Sequence, residues 1–379
     1  MRNVVVCLMF MLGCMTGLSG TLTAEQASQL VYVAGTVGSD AATGKLPAGV
    51  GEQVRRAMEN IRGELAEHGL ELSDVASVNV FLSDTRHFQT MNAVYRTYFP
   101  VDPPARATVE AEIAVPGALV QIAMVAVRSE AGRTAITPVG MRRPGLPYSW
   151  GILAGNTLFL AGTTSRDLAT YQPVTGDIAT QTRRVLENIG ATLEAAHMDY
   201  RNVAACKVFL ADSRDFDAMN EVYREFFPES APARATVEVG LMNPAFKVEI
   251  QCIAEGVGTK KVVLADGASL PQSPYSPAIE VGGRMYLSGM VGRGPDGWGN
   301  LKQQTRWALQ NLQRTLKAGN MGLEDVGNVY VFVSDIRRAQ QANEVIAQVM
   351  PSPGVAITMV EAELVAPDGL IEIMMTANH

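Results

Sequence analysis

The residues best suited to chemistry gather in one stretch, Pro232-Ala-Arg234-Ala-Thr236, with Val248-Glu249-Ile250 beginning fourteen residues past the arginine. Arginine presents a planar fork that grips a carboxylate through two parallel hydrogen bonds. A glutamate nearby can position or activate a water and help an amine leave. A glycine such as Gly162 lets backbone N–H groups approach a ligand without side-chain obstruction. Other chemistries are poorly supported. The four His and four Cys make no CxxC, HExxH or HxxxH spacing, so no metal site is expected. No Ser-His-Asp arrangement and no glycine-rich phosphate loop occurs. The formal net charge of −7 argues against a broad nucleic-acid surface.

The elements that must carry these residues are written three times. With 379 residues, 47% hydrophobic and 18% charged, the chain is an ordinary globular protein long enough for two or three domains. The segment Asp84 to Pro100 returns as Asp212 to Pro228 at an offset of 128, and a third copy begins at Asp335, 123 further on. The same offsets join Gln53, Gln181 and Gln304; Asn60, Asn188 and Asn311; and Asn92, Asn220 and Asn343. Fixed offsets at many positions define a repeat. In each unit an apolar strand runs into Gly35, Gly162 or Gly289. A helix follows, with Val54, Ala57, Met58, Ile61 and Leu65 on one face in the first copy. Next come a strand, an Asp at an N-cap position, a helix with an aromatic and Met stripe read as core, and two closing strands. The order ββαβαββ makes an α+β sheet with helices on one face. Three linked copies are expected to bury their open faces against each other around a pseudo-threefold axis. The expected boundaries are 1–24 for a leader, then 25–130, 145–256 and 272–378 for the units. Segments Arg128–Pro144 and Val257–Pro274 read as linkers, with Gly, Pro and small polar residues.

The ordered set of strand-Gly loop, Gln-Thr…Asn helix, Phe-Leu-x-Asp strand, Met-Asn-x-Val-Tyr, Pro-Ala-Arg and Val-Glu-Ile resembles the Rid (RidA/YjgF-like) family of enamine and imine deaminases. Units two and three also begin Pro147-Tyr148-Ser149 and Pro274-Tyr275-Ser276. The resemblance implies three tandem RidA-like (chorismate-mutase-like) domains forming an intramolecular pseudo-trimer, monomeric as a chain, with clefts between units. It implies hydrolysis of small 2-enamine or 2-imine carboxylic acids to 2-keto acids and ammonia, with no cofactor and no metal. The expected partner is a small 2-imino or 2-keto acid, with no nucleic acid and no membrane beyond the leader. Carried over residue by residue, it makes Glu249 the catalytic water partner, with Arg234, Tyr148, Gly162, Asn220, Thr236 and Arg106 in substrate binding.

The set decays from copy to copy. Unit one keeps Gly35, Asn92, Arg106 and Thr108 but has Gln121 for the Glu; an amide is no base near neutral pH. Unit three keeps Tyr275, Ser288-Gly289, Asn343 and Glu372 but has Ile357 at the Arg position. Thr108 and Thr236 stand where many family members have Cys, and Ala34 and Ala161 where Ser is common. One competent cleft around Arg234 is the expectation, with a weaker second around Arg106. The alternative is a non-catalytic small-carboxylate binder or chaperone-like protein on the same scaffold.

Arg2, the apolar run Val4 to Leu12 and the small residues to Ala24 read as an export signal, since the run falls short of the ~20 residues that span a bilayer. The chain is therefore expected in the periplasm or secreted, and in the cytoplasm if that reading fails. Cys206 and Cys252 remain after removal, in apolar strand-like runs; free buried thiols are the first expectation and a disulfide the second.

Overall fold

The computed structural model describes residues 29–129, 132–350 and 354–379, so the leader segment lies outside the described residues. Unit one runs β1 (Gln29–Val37), α1 (Val50–Glu67), β2 (Val75–Leu82), α2 (Phe88–Tyr98), β3 (Ala105–Glu110) and β4 (Val120–Arg128). Unit two follows with β5 (Arg133–Ile136), β6 (Gly151–Ala154), β7 (Thr157–Leu160), β8 (Thr163–Thr164), α3 (Ile178–Ala195), β9 (Val203–Leu210), α4 (Phe216–Phe226), β10 (Ala233–Glu238), β11 (Gly240–Leu241) and β12 (Val248–Glu255). Unit three has β13 (Lys261–Val263), β14 (Ala278–Val281), β15 (Arg284–Val291), β16 (Arg293–Gly294), β17 (Gly297–Trp298), α5 (Leu301–Ala318), β18 (Val326–Val333), α6 (Ala339–Val349), β19 (Ala356–Glu361), β20 (Glu363–Leu364) and β21 (Ile371–Asn378). The two presumed linkers are partly ordered: β5 pairs with β6 and β13 with β14, each lengthening its unit's sheet.

Each helix packs an apolar stripe on one sheet face. In α1 that stripe is Val54, Ala57, Met58, Ile61 and Leu65; in α3 it includes Val185, Ile189 and Leu193, all buried. Asp84, Asp212 and Asp335 accept the N–H of Arg86, Arg214 and Arg337, so each caps the short 3-10 turn that leads into the second helix of its unit. The repeated glutamines also have a structural task. Gln181 donates to the Ala245 carbonyl at 3.0 Å and accepts from the Lys247 N–H at 2.9 Å. That ties the start of α3 to the start of β12 and so sets where Glu249 emerges.

The other sheet faces meet. One apolar cluster joins Phe81 and Val109 of unit one, Phe209 and Val237 of unit two, and Tyr286 and Phe332 of unit three. Three further clusters lie between each sheet and its own helices. At the axis, one repeat position supplies three different side chains: Asn79 accepts from Lys207 Nζ at 2.6 Å and from Tyr330 Oη at 2.8 Å. The sheet edges close the ring. β11 of unit two pairs with β3, β20 of unit three pairs with β10, and Ile113 of unit one bridges to Val360 in β19. This is the expected intramolecular pseudo-trimer of α+β units. Each seam places the Pro-Ala-Arg strand of one unit, or its counterpart, against the glycine loop and last strand of the next.

Cys206 and Cys252 face each other as register partners in β9 and β12 and are joined by a disulfide. This corrects the first expectation of free thiols. The bond belongs to unit two alone: the equivalent register pairs are Val78 with Met124 and Val329 with Met375.

Candidate functional site

At the first seam, between units one and two, the Gly162 N–H donates to the Arg106 carbonyl at 3.1 Å, and the Ser149 N–H to the Pro104 carbonyl at 3.3 Å. These main-chain bonds fix β3 of unit one against the glycine loop of unit two. A cavity of about 270 Å³ opens there, lined by Arg106 and Thr108 from unit one and by Tyr148, Gly162 and Glu249 from unit two. The Arg106 guanidinium is buried, lies 4.7 Å over the Tyr95 ring and donates to Asn92 Oδ1 at 2.7 Å. It has no carboxylate side chain as an ion-pair partner among the described residues. Such a buried cation is costly unless an anion joins it.

Glu249 is 6% exposed, and burial pushes its carboxyl up to about 7. The Thr108 N–H and the Arg106 charge act the other way without cancelling the effect. Gly162 is required here because an added Cβ would sit 1.9 Å from Glu249 Oε1 and 2.9 Å from Ala107 Cα. The Tyr148 hydroxyl shares a 2.6 Å hydrogen bond with the Tyr171 hydroxyl. Desolvation and that neighbour raise the pKa of Tyr148, so it is a neutral phenol.

The second seam, between units two and three, repeats the arrangement. Arg234 is 3% exposed, and its guanidinium lies 4.8 Å over Tyr223 and 5.7 Å over Tyr275. Its Nη1 and the Thr236 Oγ1 carry no hydrogen-bond partner among the described residues. The Arg234 backbone N–H donates to Ser288 Oγ at 2.7 Å. The facing carboxylate is Glu372, buried and pushed up to about 8 by desolvation, against the opposing Thr236 N–H and Arg234 charge. Gly289 lies against it as Gly162 lies against Glu249, with Glu372 Oε1 at 1.8 Å from an added Cβ.

The third seam, between units three and one, lacks both charges. Gln121 spends its Nε2–H on the Gly35 carbonyl at 3.0 Å, and an added Cβ at Gly35 would meet Gln121 Cδ at 2.7 Å and Thr358 Cγ2 at 2.9 Å. Ile357, next to Thr358, packs against the apolar core of unit three.

The expected site residues are therefore distributed differently from the sequence reading. Arg106, Tyr148, Gly162 and Glu249 come together at the first seam. Arg234, Thr236 and, through the Arg234 surroundings on α4, Asn220 belong to the second. Arg234 and Glu249 do not share a cleft, which corrects the expectation of one competent site built on that pair. The two substitutions that seemed to damage two separate units, Gln121 and Ile357, fall in the same seam and leave two seams complete. Asn220 is buried, but its Oδ1 has no hydrogen-bond partner among the described residues, unlike Asn92, whose Oδ1 accepts from Arg106. Glu372, Tyr275 and Gly289 were visible as part of the unit-three set, yet only the trans arrangement makes them the counterparts of Arg234. Arg166, Tyr171 and Phe246 also line the first cavity, and no repeat or motif pointed to them. Among the described residues, no cluster of three His, Cys, Asp or Glu side chains is arranged to hold a metal ion. No described helix is long and apolar enough to cross a membrane.

Three α+β copies that build arginine–glutamate clefts between neighbours define a composite-site protein, and comparison with known proteins gives the same class. The family described as endoribonuclease L-PSP matches residues 22–128, 141–256 and 267–379. The chain belongs to that family and is a three-repeat Rid protein. A RutC family protein of Pyrococcus horikoshii is 51% identical over 108 residues, 28% of this chain and 86% of that protein. The 2-iminobutanoate/2-iminopropanoate deaminase of Capra hircus is 40% identical over 108 residues, 28% of this chain and 79% of that protein. Over nearly the whole chain the fold is similar to a crystallised chorismatase, with a TM-score of 0.56, 15% identity, and 93% of this chain and 98% of that one covered.

Proposed function

We propose that this protein hydrolyses small 2-enamine or 2-imine carboxylic acids, through the imine, to 2-keto acids and ammonia, and that it does so in two seams. The observation that carries the reading is the repeated pairing of a buried guanidinium lacking a carboxylate ion-pair partner among the described residues with a buried glutamate of the next unit, whose pKa is raised to about 7 or about 8 so that it can take and return a proton near neutral pH. Support also comes from deaminase-named relatives that match one repeat.

In the first seam Arg106 binds the substrate carboxylate through its fork, and Thr108 and Tyr148 line the cavity beside it. The imine carbon then lies within reach of Glu249. A water adds to that carbon as the ionised Glu249 takes one of its protons and passes it to the nitrogen, giving a carbinolamine. Glu249 then moves the hydroxyl proton to the amine, the C–N bond breaks, the nitrogen leaves as ammonia with the bonding pair, and the carbonyl forms. The second seam uses Arg234, Thr236, Tyr275 and Glu372 in the same roles. Because the imine is already reactive, orientation and a positioned base supply most of what is needed.

The test is to generate 2-iminopropanoate or 2-iminobutanoate in the presence of the protein and follow its decay. The account expects acceleration by the wild type and near-complete loss in Arg106→Ala/Arg234→Ala. No acceleration by the wild type overturns it.

The protein acts as a single chain outside the cytoplasm in this reading. The leader-like residues to Ala24 and the Cys206–Cys252 disulfide, a bond that persists in oxidising compartments, support the location. The ring closed by one polypeptide supports the monomeric state. Cell fractionation and native mass check the two points: a cytoplasmic pool of full-length chain, or a mass of three chains, contradicts them.

A further inference from the structure

We propose that the first seam selects imino acids bearing a second, distal carboxylate, with Arg166 as the residue that reads it. This rests on the deaminase reading of the same cleft and deepens it. Arg166 lines the cavity with Arg106 and Glu249, so two guanidinium groups flank one glutamate. Its guanidinium is clamped between two rings, 4.6 Å from the Tyr171 centroid and 4.7 Å from that of Phe246. Nη1 donates to the Tyr171 carbonyl at 3.0 Å. No carboxylate side chain pairs with it among the described residues. The cation is thus held in a fixed direction by neutral groups, which costs little further ordering when an anion arrives.

The loop that carries it is built for that position. Asn188 Nδ2 donates to the Arg166 carbonyl at 2.9 Å, and the Arg166 N–H donates to the Thr164 carbonyl at 2.8 Å. The Asp167 carboxylate accepts the N–H of Thr170 at 2.8 Å and that of Ala169 at 3.2 Å, turning the chain back. Tyr171 then takes a φ of 64°, a conformation unusual for a non-glycine residue, and its ring turns toward Arg166 and Tyr148.

The second seam has no such clamp. Counting four residues from each seam glycine, Arg166 corresponds to Arg293 in unit three and Ser39 in unit one. Arg293 is exposed, and its cation–π partner is Trp298 in the β16–β17 hairpin, at 5.9 Å. Phe216 and Tyr275 around Arg234 repeat Phe88 and Tyr148 of the first cavity, so the clamped arginine is what separates the two seams. Two seams with the same reactive pair thus differ in what they accept beyond the first carboxylate.

The experiment isolates the first seam with Arg234→Ala. Calorimetry measures binding of pyruvate and 2-oxoglutarate, and turnover is followed with 2-iminopropanoate and 2-iminoglutarate generated in place. The expected result is at least a tenfold preference for the dicarboxylate, about 1.4 kcal/mol. Arg166→Leu abolishes that preference and Arg166→Lys restores part of it. A preference unchanged in Arg166→Leu, or one for pyruvate in the parent protein, overturns the proposal. The two readings fail separately. Turnover without an Arg166-dependent preference removes the assignment of Arg166 and leaves the deaminase. An Arg166-dependent preference in binding without turnover of either imine keeps the dicarboxylate site and removes the deaminase.

Discussion

The first and third seams are built from the same strands, helices and glycine loop, yet only one retains the charges. In the first, Arg106 and Glu249 are both buried, and neither is neutralised by an ion pair with the other. In the third, the counterparts are Ile357 and Gln121, and the amide is bonded to the Gly35 carbonyl. A homotrimer must keep or lose its three sites together. A single chain can discard one, since each seam takes its arginine and glutamate from different units. Relieving the third seam of both charges removes a desolvation cost there while the others keep theirs. Gln121 and Ile357 therefore look like coordinated changes within one interface, not independent wear in two domains.

The largest effect that tests this contrast is on turnover. Arg106→Ala/Arg234→Ala is expected to lower kcat/KM by roughly a hundredfold or more, whereas either single variant keeps the output of the other seam. Imine decay in vitro measures both. A single variant as damaged as the double would mean that the seams do not act independently.

Next comes the disulfide, which distinguishes unit two from its neighbours. Unit two lends Arg234 to one complete seam and Glu249 to the other, so reduction of Cys206–Cys252 loosens both at once. The expected cost is about 2–4 kcal/mol of stability, read as a lower melting temperature in reductant. Cys206→Val/Cys252→Met, copying the pairs of units one and three, should make the melt insensitive to reductant.

A smaller effect depends on pH. Glu249 and Glu372 hold their protons more tightly folded than unfolded, with pKa values raised from 4.5 to about 7 and about 8. The stability they contribute is full below about pH 4.5 and is lost as pH rises through about 7 and then about 8. Glu249→Gln/Glu372→Gln, which copies Gln121, is therefore expected to melt higher than wild type above pH 8, with the gap closing below pH 4.5. The same variant loses the base and hence turnover. In the active protein, the acid limb of the rate profile should lie further to the alkaline side in Arg106→Ala, where only Glu372 acts, than in Arg234→Ala. The smallest change is Ile357→Ala: about 1 kcal/mol of stability by thermal melt and no change in turnover.

Much of the fold was legible because it is repeated. Fixed offsets aligned Gln53 with Gln181 and Gln304, the apolar stripe of α1 fixed a helix, and Asp84, Asp212 and Asp335 marked the turn before the next one. The identity of the reactive types was legible too, since Arg106, Arg234, Glu249 and Glu372 recur at set positions. Their pairing was not, because a seam joins residues of different copies and local sequence carries no sign of which neighbour supplies the second half. Reading Arg234 and Glu249 together followed the chain and missed the interface. Arg166 gave little signal: an arginine also stands four residues past Gly289, but in a loop, and the meaning of Arg166 comes from the Tyr171 and Phe246 rings. The disulfide depended on the register of β9 against β12 across 46 residues, which periodicity does not give.

Trans pairing is the central claim, and four double variants measured for imine decay test it directly. Arg106→Ala/Glu249→Gln and Arg234→Ala/Glu372→Gln each spoil one seam twice, and should retain the activity of the other. Arg106→Ala/Glu372→Gln and Arg234→Ala/Glu249→Gln each spoil both seams, and should be inactive. Activity surviving in Arg106→Ala/Glu372→Gln but lost in Arg106→Ala/Glu249→Gln would pair Arg234 with Glu249 of its own unit and contradict the account.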